Sequence, residues 1–140
     1  MTKISLIIPC YNESANLPLL INRCKELFNK ESTIEIVIVD NGSNDDTALI
    51  LDKITKHLNY IKRVNIQNNK GYGHGILSGL KEANGDILSW THADLQTDLL
   101  DVLKGLSIFE NSSNPELLFV KGQRHGRPFL DVFLTIGMSI

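Results

Sequence analysis

Two short, almost uninterrupted apolar runs set the frame for this chain. Ile4-Ser5-Leu6-Ile7-Ile8 and Ile34-Glu35-Ile36-Val37-Ile38-Val39 each break off into polar residues, Pro9 to Glu13 in the first case and Asp40 to Ser43 in the second. Strands that are apolar on both faces belong to buried parallel sheets, and parallel strands need a crossover segment between them. The intervening stretch has helical spacing: Leu17, Leu20, Ile21, Cys24, Leu27 and Phe28 recur every three or four residues. The spacing predicts a helix over residues 16–29 with Asn16 as its cap and Pro18 in the first turn.

The alternation continues. A helix carrying Leu51, Ile54 and Leu58 follows Asn41-Gly42-Ser43, with Asn44 or Asp45 as cap. Residues 60–66 alternate as a partly exposed strand. Gly71-Tyr72-Gly73-His74-Gly75 reads as a glycine-rich loop leading into a helix, which Asn84-Gly85 stops. Residues 86–91 form a strand delivering His92-Ala93-Asp94, and Thr97 caps a helix over 98–109. A last strand is expected over 117–121 and an apolar-faced helix over 129–140, presenting Phe129, Val132, Phe133, Ile136 and Ile140. This order implies one α/β domain over residues 1–140, a mainly parallel sheet with helices on both faces. Ligands bind such sheets beyond the carboxyl ends of the strands. Tyr11, Glu13, Asp40, Asp94 and Arg124 all fall at such ends.

Composition excludes several classes. The formal net charge of −2 argues against a nucleic-acid-binding surface. No run of about 20 apolar residues exists to span a membrane, and the N-terminus lacks the flanks of a secretory signal. Cys10 and Cys24 are read as free thiols of a reducing, cytoplasmic compartment. The glycine-rich loop fails the dinucleotide fingerprint, because the third glycine falls at Gly75 instead of at Ile76, and no phosphate loop ending in Lys-Ser/Thr is present. Glu13, Asp40 and Asp94 suggest a polar cleft that binds a cation or reads hydroxyl and amine donors. Asp94 and the amide oxygen of Gln96 can supply two hard oxygen ligands. His92 is a further candidate ligand, one that tolerates manganese better than magnesium, or else a cleft-wall residue. Lys121 to Pro128 is the one locally basic stretch, and its guanidinium groups suit phosphate.

Five short motifs resemble family 2 glycosyltransferases in the same order and with similar spacing. They are Pro9-Cys10-Tyr11-Asn12-Glu13, Asp40-Asn41-Gly42-Ser43, Asn69-Lys70-Gly71-Tyr72-Gly73, Ala93-Asp94-Leu95-Gln96 and Gly122-Gln123-Arg124. The last two are similar to the branch containing dolichyl-phosphate mannose synthase and other polyprenyl-phosphate glycosyltransferases. The resemblance implies a GT-A fold and an inverting transfer of a sugar from a nucleoside-diphosphate sugar to a lipid phosphate or a glycan, in the building of cell-envelope lipids or polysaccharides. It implies that Pro9, Tyr11, Glu13, Asp40, Gly71 and Ala93 surround the donor. It further implies that Asp94 and Gln96 hold a divalent cation, Mn2+ or Mg2+, and that Asp94 and Arg124 carry the chemistry. Two departures from the pattern follow. His92 stands where the family has the first acid of its metal motif, and the family's C-terminal acceptor elements are expected to be missing. The alternatives are a non-catalytic or truncated nucleotide-sugar-binding module and, less well matched, an α/β nucleotidyltransferase. The apolar 129–140 face is expected to meet a membrane surface or a second copy of the chain.

Overall fold

The computed structural model of the protein describes residues 4–122. Four strands alternate with four helices: β1 (Ile4–Cys10), α1 (Leu17–Lys30), β2 (Ile34–Asn41), α2 (Thr47–Thr55), β3 (Ile61–Ile66), α3 (Tyr72–Lys81), β4 (Ile87–Trp90) and α4 (Asp101–Glu110). The strands form one parallel sheet in the order β3-β2-β1-β4.

All seven residues of β1 are buried, as a strand covered on both faces requires. Side chains alternate across the pleat. Ile4, Leu6 and Ile8, with Ile34, Ile36 and Ile38 of β2, pack against Leu17, Leu20, Ile21, Cys24 and Leu27 of α1 and Leu51 of α2. Leu106 of α4 joins the same core. On the opposite face Ile7, Val37 and Val39 pack under Leu80 of α3 and neighbouring apolar groups. Each of these buried side chains contributes roughly 1.5–3 kcal/mol relative to leaving it in water.

Glycines bring α3 down onto the sheet. A Cβ at Gly79 would lie 2.5 Å from Ile7 Cγ2 and 2.9 Å from Val39 Cγ2. One at Gly75 would meet Pro9 Cβ at 3.0 Å. Gly73 and Gly75, expected in a loop, therefore belong to the helix, and Gly71 alone of the three keeps a loop conformation, at φ +93.

Two further expectations need correction. The helix expected from residue 98 starts at Asp101; Thr97 does not cap it, its Oγ1 lying 3.0 Å from Thr91 Oγ1 instead. The strand expected over 117–121 does not form. Pro115–Leu117 is a single 3-10 turn, with Leu117 and Phe119 largely exposed and no ladder to β4. A strand is held by pairing with a neighbour, and this segment pairs with none of the four strands. Trp90, the last residue of β4, is 46% exposed and meets Phe119 in a tilted ring contact. The basic stretch from Gln123 and the 129–140 helix lie outside the described residues.

The connections fix where a ligand can enter. From β1 the chain steps outward to β2 and β3, then returns across the sheet to place β4 on the other side of β1. The strand order thus reverses between β1 and β4, and the crevice beyond their carboxyl ends is where open α/β sheets bind ligands.

Candidate functional site at the strand reversal

A cleft of about 290 Å³ opens at that reversal, lined by Pro9, Cys10, Tyr11, Glu13, Asn41, Asn69, Gly71, Tyr72, His92, Ala93 and Asp94. Of the residues singled out in the sequence, Pro9, Tyr11, Glu13, Gly71, Ala93, Asp94 and His92 meet there. Asp40 does not reach the cleft wall. It pairs in register with Cys10, is buried, and accepts the Ser43 N–H at 3.0 Å, which holds the turn after β2. Gln96 lies just beyond the lining, and Arg124 is outside the described residues.

The β1 and β2 ends are latched to each other. The Asn12 N–H donates to Ser43 Oγ at 3.0 Å, and the Asn44 N–H donates to Asn12 Oδ1 at 2.8 Å. The Glu13 N–H donates to Thr47 Oγ1 at 2.9 Å, and the Ser14 N–H to Asp45 Oδ2 at 3.3 Å. Asn12 takes a left-handed conformation, φ 54, which asparagine tolerates better than most residues. Glu13 accepts from Asn16 Nδ2 at 2.6 Å, so its carboxylate is already oriented at the cleft mouth. Asn16 does not cap α1 through its side chain; instead the Glu13 carbonyl takes the N–H groups of Asn16 and Leu17.

Besides Asn69 and Tyr72, sequence reading missed Asn41. It is 3% exposed, and its Nδ2 donates to the Gly71 carbonyl at 3.0 Å, joining the β2 turn to the start of α3. Its Oδ1 is buried without a partner. An asparagine beside Asp40 in a polar turn carries no local mark of burial; the tertiary approach of Gly71 and Gly75 creates it.

The β4 side is held by fewer bonds. Asp94 Oδ1 accepts the Gln96 N–H at 3.1 Å across Leu95, which adopts φ 60. Ala93 is buried between the exposed His92 and Asp94. His92 stacks on Tyr72, with ring centroids 4.6 Å apart and planes within 5°.

Residues 5–114 match the description "Glycosyl transferase family 2". The chain belongs to that family. Among curated relatives, the undecaprenyl-phosphate 4-deoxy-4-formamido-L-arabinose transferase of Photorhabdus laumondii is 37% identical over 99 residues, covering 67% of this chain and 30% of its own length. The enzyme of that name from Yersinia enterocolitica is 34% identical over 113 residues, covering 77% of this chain and 34% of its own. The chain thus spans about a third of the length of these family members. Among solved structures, mannosyltransferase PcManGT from Pyrobaculum calidifontis, in complex with GDP-Man and Mn2+, superposes over 80% of this chain and 33% of its own, with TM-score 0.68 and 22% identity. S. aureus TarS in complex with UDP-GlcNAc covers 89% of this chain and 37% of its own, with TM-score 0.63 and 23% identity. These likenesses establish the GT-A fold.

Within this family fold the donor set at Asp94 suits a cation only in part. Among the described residues no three His, Cys, Asp or Glu side chains gather to hold a metal. Asp94 and Gln96 are exposed oxygen donors, which fits a hard cation that brings its remaining ligands as phosphate oxygens. Cys10, although it lines the cleft, is no nucleophile. Burial pushes its thiol pKa well up, and the Glu13 and Asp40 carboxylates push it further. Burial likewise pushes Cys24 up to about 12. Among the described residues, no helix is long and apolar enough to cross a membrane.

Proposed function

We propose that this domain, residues 1–140, is the donor-binding part of an inverting glycosyltransferase that moves a sugar from a nucleoside-diphosphate sugar to a polyprenyl phosphate. The carrying observation is the cleft at the β1/β4 reversal, where Pro9, Tyr11, Glu13 and Asn41 stand on one side and Ala93-Asp94 on the other. Relatives named as undecaprenyl-phosphate transferases support the acceptor class. Neighbours of the same fold solved with GDP-Man and with UDP-GlcNAc support the donor class.

In this reading Pro9, Tyr11 and Glu13 border the base and ribose, and Asp40 acts from behind by fixing the Ser43 turn. Gly71 and Ala93 leave room for the donor. Asp94, with Gln96, holds a divalent cation, Mn2+ or Mg2+, which neutralises the leaving diphosphate when bound. Arg124 takes the acceptor phosphate by its matched position in the family motif. An oxygen of that phosphate attacks the anomeric carbon as the bond to the nucleoside diphosphate breaks. A phosphate is already ionised, so no general base has to remove a proton. In this reading a lipid acceptor brings the reaction to a membrane surface.

The test is calorimetric titration with UDP-, GDP-, CMP- and dTDP-sugars, with and without Mn2+. Saturable binding of one donor class, strengthened by the cation, is expected. Asp94→Ala should weaken it roughly 10- to 100-fold, the worth of one charge-assisted contact. No binding across the panel, or unchanged affinity in the variant, would defeat the assignment.

A further inference from the structure

His92 stands at a position where the family resemblance calls for an acid, yet the structure gives its ring a different occupation. Tyr72 is the first residue of α3 and His92 lies just beyond β4, so the two come from opposite sides of the strand reversal. Their rings are nearly parallel, with planes within 5° and centroids 4.6 Å apart. The Tyr72 hydroxyl donates to the Thr91 carbonyl at 3.4 Å, next to His92 in the chain. Both residues line the cleft beside Asp94. A chance surface contact between two rings needs neither the hydroxyl tether nor the shared cavity.

We propose that Tyr72 and His92 work as one stacked aromatic wall that holds the glycosyl part of the donor, and that His92 contributes its ring and not a metal-ligating nitrogen. The inference rests on the reading of this cleft as a donor site. Three observations carry it. The stack ties α3 to the end of β4, so the wall is anchored on two elements of the fold. It lies two residues from Asp94, so a donor whose diphosphate reaches Asp94 has its sugar within reach of the rings. Finally, the Tyr72 hydroxyl lies 3.4 Å from the Thr91 carbonyl, so the tyrosine half of the wall is tethered to the residue that precedes His92. An aromatic face offers the C–H face of a sugar ring a dispersion surface.

Substitutions that separate the ring from its nitrogens decide the matter. Tyr72→Ala, His92→Ala, His92→Phe and the double alanine variant are titrated with a nucleoside diphosphate and with its sugar conjugate, Mn2+ present. Mn2+ affinity is read separately by electron paramagnetic resonance. Both positions changed are exposed, and thermal melts verify folding. Each alanine variant should lose roughly two- to twelvefold in affinity for the sugar conjugate and little for the bare diphosphate. The double variant should lose no more than about the larger single effect, because removing either ring already breaks the stack. His92→Phe should bind the conjugate and Mn2+ as the unmodified protein does. If His92→Phe instead loses Mn2+ affinity together with His92→Ala, the imidazole is a ligand and the proposal is wrong. Unchanged binding by Tyr72→Ala would overturn it as well. Failure of the unmodified protein to bind any nucleoside-diphosphate sugar is a different result, and it removes the donor-site reading itself.

Discussion

The two sides of the cleft are built to different standards. On the β1–β2 side, every residue of β1 is buried, and the loops beyond the strands exchange four cross-loop bonds through Asn12, Glu13, Ser14, Ser43, Asn44, Asp45 and Thr47. On the β4 side, the strand is four residues long with Leu88 and Trp90 about half exposed, and the Asp94 turn is held mainly by its own Asx bond. The contrast teaches a division of labour. The side assigned to the nucleotide is fixed before anything binds, which spares the ordering entropy of those loops. The side proposed for the diphosphate, cation and sugar has fewer bonds between loops, its main tie to another element being the Tyr72–His92 stack. Substitutions on the first side should therefore register as lost stability, and on the second as lost binding.

The largest expected effect is at Gly42, the hinge of the latched side. Its φ is +74, and a Cβ would lie 2.6 Å from the Asn69 backbone nitrogen and 2.9 Å from the Asn68 carbonyl carbon. Both the left-handed conformation and the backbone clash oppose a side chain, so Gly42→Ala should cost about 2–4 kcal/mol in urea unfolding. Gly73→Ala is the control: nothing lies within 4 Å and the position is helical, so it should be neutral or stabilising by up to about 1 kcal/mol. Equal effects at the two glycines would dissolve the contrast.

Next comes Thr47, fully buried at the start of α2, whose Oγ1 accepts the Glu13 N–H. Thr47→Val keeps the shape and removes the acceptor. Leaving that N–H unpaired should cost about 1–3 kcal/mol. On the β4 side, Asp94→Ala should change stability by no more than about 0.5 kcal/mol, because the side chain is exposed. A large loss of stability there would mean that the Asp94 turn is as structural as the β1–β2 latch.

The same asymmetry explains what could be read without a structure. The latched side was legible. Ile4 to Ile8 and Ile34 to Val39 are apolar because both faces are covered, and the 3.6-residue spacing of α1 follows from facing that core. The β4 side was less so. Asp86 to Thr91 was recognisable as a strand, but the strand expected after it, over 117–121, is a 3-10 turn and exposed chain instead. An apolar run needs a pairing edge as well as a pattern, and sequence does not announce the edge. The glycine-rich segment misled for a related reason. Gly73 and Gly75 were read as loop-formers, whereas both sit inside α3, and at Gly75 the approach of Pro9 leaves little room for a Cβ. Asn41 was overlooked on the same grounds, since its burial comes from a helix thirty residues downstream. The carboxylates were expected to share one sheet edge, and they do, but Asp40 turns to its own Ser43 turn while Glu13 and Asp94 face the cleft.

The smallest expected effect concerns acid. Asp45 has its pKa lowered from an ordinary 3.8 to about 2, chiefly by hydrogen bonds from Thr47 and also from Ser14. Its carboxylate accepts the N–H of Thr47 at 3.0 Å, from one residue before the N-cap Asp46 of α2, and the N–H of Ser14 from the β1 loop. The folded pKa lies below the unfolded one of about 3.9. The ionised form is therefore favoured by folding, and the contribution is complete above about pH 4. It is lost as pH falls through about 2, where the folded protein also takes up the proton. The group is fully exposed, so solvent screening keeps the contribution small. Asp45→Asn retains an oxygen acceptor and removes the titration. Urea midpoints taken from pH 5 to pH 2 should fall more steeply for the unmodified protein than for this variant, with the curves converging at the acid end. Parallel curves across that range would show that the bond between the β1 loop and the β2 turn does not depend on charge, and the latch would then owe its strength to Asn12, Ser43 and Thr47 alone.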